Sequence, residues 1–70
     1  MGSIRLRVKE LAKEKGWTLK EVAERSGVPY STIKKYARSD RLATVDYTAL
    51  QKLARIFEVM IEDVVEVLEE

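Results

Sequence analysis

The sequence predicts an all-α fold of five helices. Apolar side chains recur every three or four residues along nearly the whole chain, which is the spacing of helices with one buried face. The 70 residues suffice for one small core and no second domain, so a single domain over residues 1–70 is expected. An apolar share of 46% beside a charged share of 36% is typical of a globular chain rather than a disordered one.

Apolar residues at helical spacing predict the first helix, and Gly16 ends it. These residues are Ile4, Val8, Leu11 and Ala12. Trp17 follows and is expected to pack into the core beside the start of the second helix.

The second helix is predicted to begin at a capping box formed by Thr18 and Glu21. In this motif the hydroxyl accepts a backbone N–H three residues on, and the carboxylate reaches back to the first residue. Val22 and Ala23 supply the buried face. Gly27 ends the helix, because a sharp turn at this point needs a left-handed backbone.

Pro29 predicts the start of a third helix that runs to about Arg38, since its fixed φ suits a first helical turn. The residues expected to face inward are Ile33, Tyr36 and Ala37. Residues 39–45 are predicted to form a loop. Asp46 is a suitable N-cap for a fourth helix. The apolar stripe of that helix consists of Leu50, Leu53, Ala54 and Phe57.

The last segment is predicted to be a fifth helix after a short connection at residues 58–60. Its apolar stripe consists of Ile61, Val64, Val65 and Leu68. The β-branched valines lower its helix propensity, so a strand is the alternative.

The absence of cysteine and histidine excludes several chemistries together. Disulfides, zinc sites with thiolate or imidazole ligands, and catalysis by a cysteine, a Ser-His pair or a histidine base all need these residues. The three glycines form no phosphate-cradling loop. We therefore expect no enzyme, no catalytic residue, no metal, no cofactor and no small-molecule substrate.

The net charge of +1 conceals a basic half and an acidic half. Residues 1–41 contain eleven Lys and Arg against five Asp and Glu, whereas residues 42–70 contain two against seven. This asymmetry favours a positive face for a polyanion, although a scatter of solvated charges is the alternative. No apolar run approaches the ~18 residues of a membrane span, and no signal peptide is recognisable, so we expect a cytoplasmic protein without membrane contact.

Residues 18–38 have the features of a helix-turn-helix. Ala23 is small enough for two helices to cross closely, Gly27 permits the turn, and Val28 supplies an apolar plug after it. Here the chain resembles the Cro/C1-type (phage repressor, XRE-like) helix-turn-helix family. The resemblance is carried by T-L-K-E-V-A-E-R-S-G-V-P-Y-S-T-I-K-K-Y and by D-Y-T-A-L-Q-K-L-A-R-I-F-E-V-M-I-E-D-V-V, and it covers roughly residues 4–68.

The resemblance implies a compact lambda-repressor-like bundle of five helices whose third helix lies in the DNA major groove. It also implies that base edges are read by the first turns of that helix, at Tyr30, Ser31, Lys34 and Lys35. Helical spacing leaves the same residues and Arg38 pointing away from the core. Lysine can donate to guanine, serine to several bases, and a tyrosine ring can pack on a thymine methyl group.

Phosphate contacts are expected at both ends of the motif. At the start of the second helix, backbone N–H groups near Thr18 and Leu19 form an anion site, and Lys20 adds a charge. Arg38 and Arg41 would hold the strand beyond the third helix. Taken singly, each cation could equally be solubilising surface, and Tyr30 could be a packing residue.

These features predict a sequence-specific DNA-binding transcriptional regulator, a repressor, whose partner is double-stranded DNA. The alternative is a protein-interaction module, an antitoxin or adaptor, that docks through the acidic last helix. We also expect a homodimer formed by the C-terminal half. Val67 lies off the apolar stripe there, and with Val59 it leaves an apolar patch that a small domain covers poorly.

Overall fold

The computed structural model describes residues 3–39, 41–42 and 45–68. Its elements in chain order are β1 (Ser3–Leu6), α1 (Val8–Lys15), α2 (Leu19–Ser26), α3 (Tyr30–Arg38), α4 (Tyr47–Phe57), α5 (Ile61–Val64) and β2 (Val65–Leu68). The five predicted helices are present, and a small two-stranded sheet joins the two ends of the described chain.

The predicted ends of α2 are confirmed. The Thr18 hydroxyl accepts the Glu21 N–H at 3.1 Å, and the Glu21 carboxylate accepts the Thr18 N–H at 3.0 Å. At the other end Gly27 has a φ of 79°, and its N–H donates to the Ala23 carbonyl at 2.9 Å. Both ends of α2 are therefore specified by residues next to them in sequence.

Asp46 caps α4 as predicted, by accepting the Thr48 N–H at 3.0 Å. The backbone N–H of Asp46 also donates to the Tyr36 hydroxyl at 3.3 Å. Tyr36 is only 5% exposed, so this bond lets a buried tyrosine of α3 satisfy its polar end while it holds the start of α4.

The core lies between the helices and one face of the sheet. Its buried apolar residues are Leu6, Val8, Leu11, Ala12, Val22, Ala23, Val28, Ile33, Tyr36, Leu42, Ala49, Leu50, Leu53, Ala54, Phe57 and Val64. Trp17 packs against this core as expected and stacks on Phe57, with ring centroids 5.7 Å apart. Ala37 was expected inside the core but is only half-buried.

The fold is mostly helical, as predicted, but the ends of the described chain add a small sheet to it. Residues 3–6 pair antiparallel with residues 65–68, so that Ile4 faces Val67 and Leu6 faces Val65. Ile4 therefore lies on a strand, and the first helix begins only at Val8. Val65 and Leu68 lie on β2. This strand is the alternative that the β-branched valines indicated.

The acidic last helix on which the interaction-module hypothesis depends is shorter than predicted. α5 is a single turn of four residues, and the chain then turns into β2. The Asp63 carboxylate accepts the Met60 N–H at 3.3 Å and so holds the start of that turn. Residues 65–68 consequently contribute to no helical docking surface.

The predicted loop at residues 39–45 also contains a strand-like contact. Leu42 and Ile4 exchange two backbone hydrogen bonds, of 2.9 and 2.7 Å. Leu42 is buried in the core by this pairing. Residues 40, 43 and 44 of the loop lie outside the described residues.

Candidate nucleic-acid interface

The turn between α2 and α3 is fastened by side chains of its own sequence. The Ser26 hydroxyl donates to the Ala23 carbonyl at 3.4 Å and accepts the Val28 N–H at 3.2 Å. Val28, the predicted apolar plug after the turn, is 4% exposed and belongs to the core. Together with Gly27, these contacts set the angle at which α3 leaves α2.

The opposite faces of α3 differ sharply in burial. Ile33 is fully buried and Tyr36 nearly so, as predicted. The exposed residues of α3 are Tyr30, Ser31, Lys34, Lys35 and Arg38. They are the residues predicted to contact DNA from this helix. Because one face of α3 packs into the core, the opposite face is directed toward solvent.

Tyr30 is 46% exposed, so it is not a packing residue under the turn. The Lys34 ammonium lies 5.2 Å from the centroid of its ring, within the range of a cation–π contact. This contact orders two of the predicted base-reading side chains relative to each other. Tyr30 and Lys34, which follow each other by one helical turn, are therefore in contact in the structure.

The exposed face of α3 is positively charged without compensation inside the described part of the chain. Residues 30–38 include three cations and no carboxylate. The ion pairs recorded among the described residues join Arg5 to Glu10, Arg5 to Glu66, and Lys15 to Glu58. None of these pairs involves α3, so its three cations form no ion pair with the described carboxylates.

The predicted anion site at the start of α2 has fewer available N–H donors than the sequence implies. The capping box already engages the Thr18 N–H, and it places the Glu21 carboxylate at this helix end. Leu19 is half-buried and Lys20 is exposed. The backbone N–H groups that point out of the first turn are therefore those of Leu19 and Lys20, while Thr18 acts as the cap.

An open cleft of about 450 Å³ brings residues from both ends of the motif together. Leu19 and Arg38 line it, although they are 19 positions apart in the sequence, and Lys9 from α1 joins them. Leu6 and Ala37 contribute apolar lining. Lys9 was missed by the sequence reasoning, because only packing brings α1 beside the end of α3, and a lone lysine in a charged helix carries no signal of its own.

Arg5 also lines the cleft, but its guanidinium is already paired. It binds the carboxylate of Glu10, and it donates to Glu66 across the sheet at 2.7 Å. The hydrogen bond with Glu10 is the main cause that raises the pKa of Arg5. Burial alone would raise the pKa of Glu10, but the hydrogen bonds from Arg5 and from its own backbone, with the nearby positive charges, lower it.

Arg41 follows α3 and makes a contact with the start of the chain's first strand. Its guanidinium donates to the Ser3 hydroxyl at 3.3 Å, and the side chain is exposed. This bond ties the segment after α3 to the start of β1.

The comparisons with known proteins agree with this arrangement. The family model described as Helix-turn-helix matches residues 8–64. The chain therefore belongs to the Cro/C1-type, XRE-like helix-turn-helix family, which consists of DNA-binding regulators. No curated protein and no solved structure matches the chain. Among the described residues, no helix has the length and apolar character that crossing a membrane requires.

Proposed function

We propose that this protein is a sequence-specific transcriptional repressor that inserts α3 into the major groove of DNA. The observation that carries the proposal is the exposed face of α3, which has three cations, a tyrosine, a serine and no carboxylate. An α-helix fits the major groove, where each base pair presents a distinct set of donors and acceptors. The repressor acts in the cytoplasm by occupying a site that transcription needs.

The residues of the first turns of α3 have separate roles in this proposal. Lys34 and Lys35 donate to the O6 and N7 atoms of guanine, and the Ser31 hydroxyl contacts a neighbouring base. The Tyr30 ring packs on a thymine methyl group or its hydroxyl reaches a phosphate. The cation–π contact between Lys34 and Tyr30 restricts both side chains before DNA arrives, which lowers the entropy lost on binding.

Phosphate binding is assigned to groups around the cleft and at the start of α2. The N–H groups of Leu19 and Lys20, the Lys20 ammonium and the Arg38 guanidinium are the donors. Lys9 is added to this set because it lines the same cleft as Arg38. Arg41 contacts the strand further along, beyond α3. These contacts fix the orientation of the protein on the duplex and carry no sequence information.

The test begins with selection of bound sites from a random DNA pool and measurement of affinity at several salt concentrations. A DNA-binding repressor shows a steep loss of affinity with salt. Lys34→Ala and Lys35→Ala are each expected to weaken binding, and at least one is expected to relax the preference at a single base pair by about 1–3 kcal/mol. Lys52→Ala, an exposed lysine of α4, is the control for loss of one positive charge.

Two results would contradict the proposal. Unchanged affinity and unchanged base preference in both lysine variants would show that α3 does not read the sequence. Binding without salt dependence, or no binding to DNA at all, would favour a protein-interaction module instead. Repression itself is tested by placing the selected site across a promoter, where the parent protein lowers transcription and the lysine variants do not.

A further inference from the structure

The cleft of about 450 Å³ contains more positive charge than its own carboxylate balances. Among the described residues that line it, Arg5, Lys9 and Arg38 are cationic and Glu10 is acidic. Arg5 binds Glu10 and also Glu66 of β2. Lys9 and Arg38 take part in none of the ion pairs recorded among the described residues. The cleft therefore holds two cations that are available to an anion from solution.

The rest of the lining is apolar and only partly covered. Leu6 belongs to the core, whereas Leu19 and Ala37 are half-buried. A phosphate group of DNA can pair with the cations, but it has no apolar surface to cover these two side chains. A ligand that contacts both parts of the lining needs an anionic group joined to an apolar one.

The cleft has the size and the rigidity of a small-molecule site. Its volume lies within the range of roughly 300–1,000 Å³ that is usual for ligand pockets, which combine apolar walls with a few charged groups. Leu6 and Val8 are buried in the core, and they fix the backbone next to Arg5 and Lys9. A wall that is ordered before binding reduces the entropy that a ligand must offset.

We propose that this cleft binds a small organic acid with a short apolar chain, and that the bound acid releases the protein from DNA. The carboxylate accepts hydrogen bonds from Lys9 and Arg38, whose guanidinium can donate two of them side by side. The chain covers Leu19 and Ala37.

The effect on DNA rests on the proposed function, which assigns Lys9 and Arg38 to phosphates of the duplex. A carboxylate bound to these two side chains occupies the donors that a phosphate would use. The acid and DNA therefore compete for the protein, and repression falls as the concentration of the acid rises. The binding of the acid itself does not depend on the proposed function.

Charge and apolar area together select this class of ligand. A neutral molecule leaves the ammonium and the guanidinium without a partner, and a cation is repelled by them. Inorganic phosphate satisfies the two charges but leaves the apolar wall in contact with water. Only a molecule with both parts uses the whole lining.

The binding test uses the full chain without DNA, at constant pH and ionic strength. Titration of isotopically labelled protein with hexanoate is expected to shift the backbone amide signals of the cleft, above all those of Lys9, Leu19 and Arg38. Hexanoate is also expected to raise the melting temperature, because only the folded chain contains the cleft.

Three comparison compounds separate the contributions of charge and chain. Acetate has a shorter chain, inorganic phosphate has none, and hexanamide lacks the charge. Each buried methylene strengthens binding roughly fourfold, so acetate and phosphate are expected to bind at least about 10-fold more weakly than hexanoate in this half-open cleft. Hexanamide is expected to bind about 10-fold more weakly, because it lacks the charge-assisted hydrogen bonds.

Substitutions locate the site. Lys9→Ala and Arg38→Ala are each expected to weaken hexanoate binding about 5-fold or more. Lys13→Ala is the matched control, since Lys13 is an exposed lysine of the same helix that does not line the cleft. Leu19→Ala is expected to weaken binding of hexanoate but not of acetate. A thermal melt of each variant checks that it folds.

Competition with DNA is measured on the selected site, with ionic strength held constant because salt alone weakens DNA binding. At a hexanoate concentration ten times its dissociation constant, the affinity of the parent for DNA is expected to fall about 10-fold. The same concentration of hexanamide is expected to change it little.

The outcomes separate this inference from the proposed function. Equal binding of hexanoate, acetate and phosphate, or equal losses in Lys9→Ala and Lys13→Ala, overturns the organic-acid site. Hexanoate that fills the cleft without weakening DNA binding overturns the release from DNA. Absence of any DNA binding overturns the proposed function instead, and the amide shifts then still decide whether the cleft binds the acid.

Discussion

The helix-turn-helix at residues 18–38 and the terminal sheet are built from contacts of very different range. In the helix-turn-helix, Thr18 bonds Glu21 and Gly27 bonds Ala23, so the decisive partners are three or four residues apart. In the sheet, Arg5 reaches Glu66 across 61 positions. A contact within the helix-turn-helix costs little loop-closure entropy. A contact within the sheet costs more, because almost the whole chain lies in the loop that it closes.

The two regions nevertheless share one core. Leu6 of β1 and Val64 before β2 belong to the same buried cluster as Val22 and Ile33 of the helix-turn-helix. Helices as short as α2 and α3, with eight and nine residues, are marginal in isolation. Local signals therefore specify the DNA-binding unit, but its stability depends on the distant ends of the chain.

The strongest test of this dependence is Leu6→Ala. Leu6 is 2% exposed, and truncation of a buried leucine typically costs about 2–5 kcal/mol. We expect the melting temperature to fall steeply, with far-UV circular dichroism and Trp17 fluorescence changing together. Trp17 is the single tryptophan and lies just before α2, so it reports on the helix-turn-helix side of the core.

Ile4→Ala provides the matched control for Leu6→Ala. Ile4 lies on the same strand but is only half-buried, so its truncation is expected to cost less. A Leu6→Ala variant whose Trp17 transition stayed at the parent temperature would show that the helix-turn-helix is stable by itself, and the dependence argued here would be wrong.

Ala23→Leu tests the opposite region and is expected to have the next largest effect. Ala23 is 8% exposed on α2, which packs against α3, and a larger side chain forces these helices apart. Overpacking typically costs about 1–3 kcal/mol. Glu24→Leu adds a similar side chain at the neighbouring exposed position and serves as the control. Equal melting temperatures for parent and Ala23→Leu would contradict the close crossing of α2 and α3.

The difference in contact range also explains which parts of the fold the sequence predicted. The capping box and the left-handed Gly27 depend on neighbouring residues, so the bounds of α2 could be predicted from residue type. Val65 and Leu68 fit a helical stripe equally well by spacing. The β-branched valines offered a strand as the alternative, but pairing with residues 3–6 decides between the two, and no pattern within one segment identifies that partner.

The residues of the candidate site also differ in whether the sequence could predict them. Lys34, Lys35 and Arg38 could be predicted as exposed because one helix carries them all and Ile33 fixes its buried face. Lys9 could not be predicted beside Arg38, since α1 reaches the cleft through tertiary packing. The use of the Thr18 N–H by Glu21 follows from the capping box, and this bond shifts the open donors to Leu19 and Lys20.

The smallest expected effect concerns the ion pairs that join β1 to its neighbours. Because the pKa of Glu10 is lowered in the folded protein, the unfolded chain binds more protons at acidic pH. The contribution of the pair is present above the ordinary glutamate pKa of 4.5 and is lost as the pH falls through the lower folded value. Both partners are partly exposed, so solvent screening keeps this contribution small.

Glu10→Gln is therefore expected to make the dependence of unfolding free energy on pH shallower below 4.5 and to change stability little near neutral pH. Urea unfolding at several pH values measures this slope. Glu14→Gln is the control, because Glu14 is an exposed residue of the same helix without a recorded ion pair in the described part of the chain. If both variants kept the acid dependence of the parent, the pair of Arg5 and Glu10 would contribute nothing to holding β1, and its backbone hydrogen bonds and the apolar burial at Leu6 would account for the attachment of the sheet.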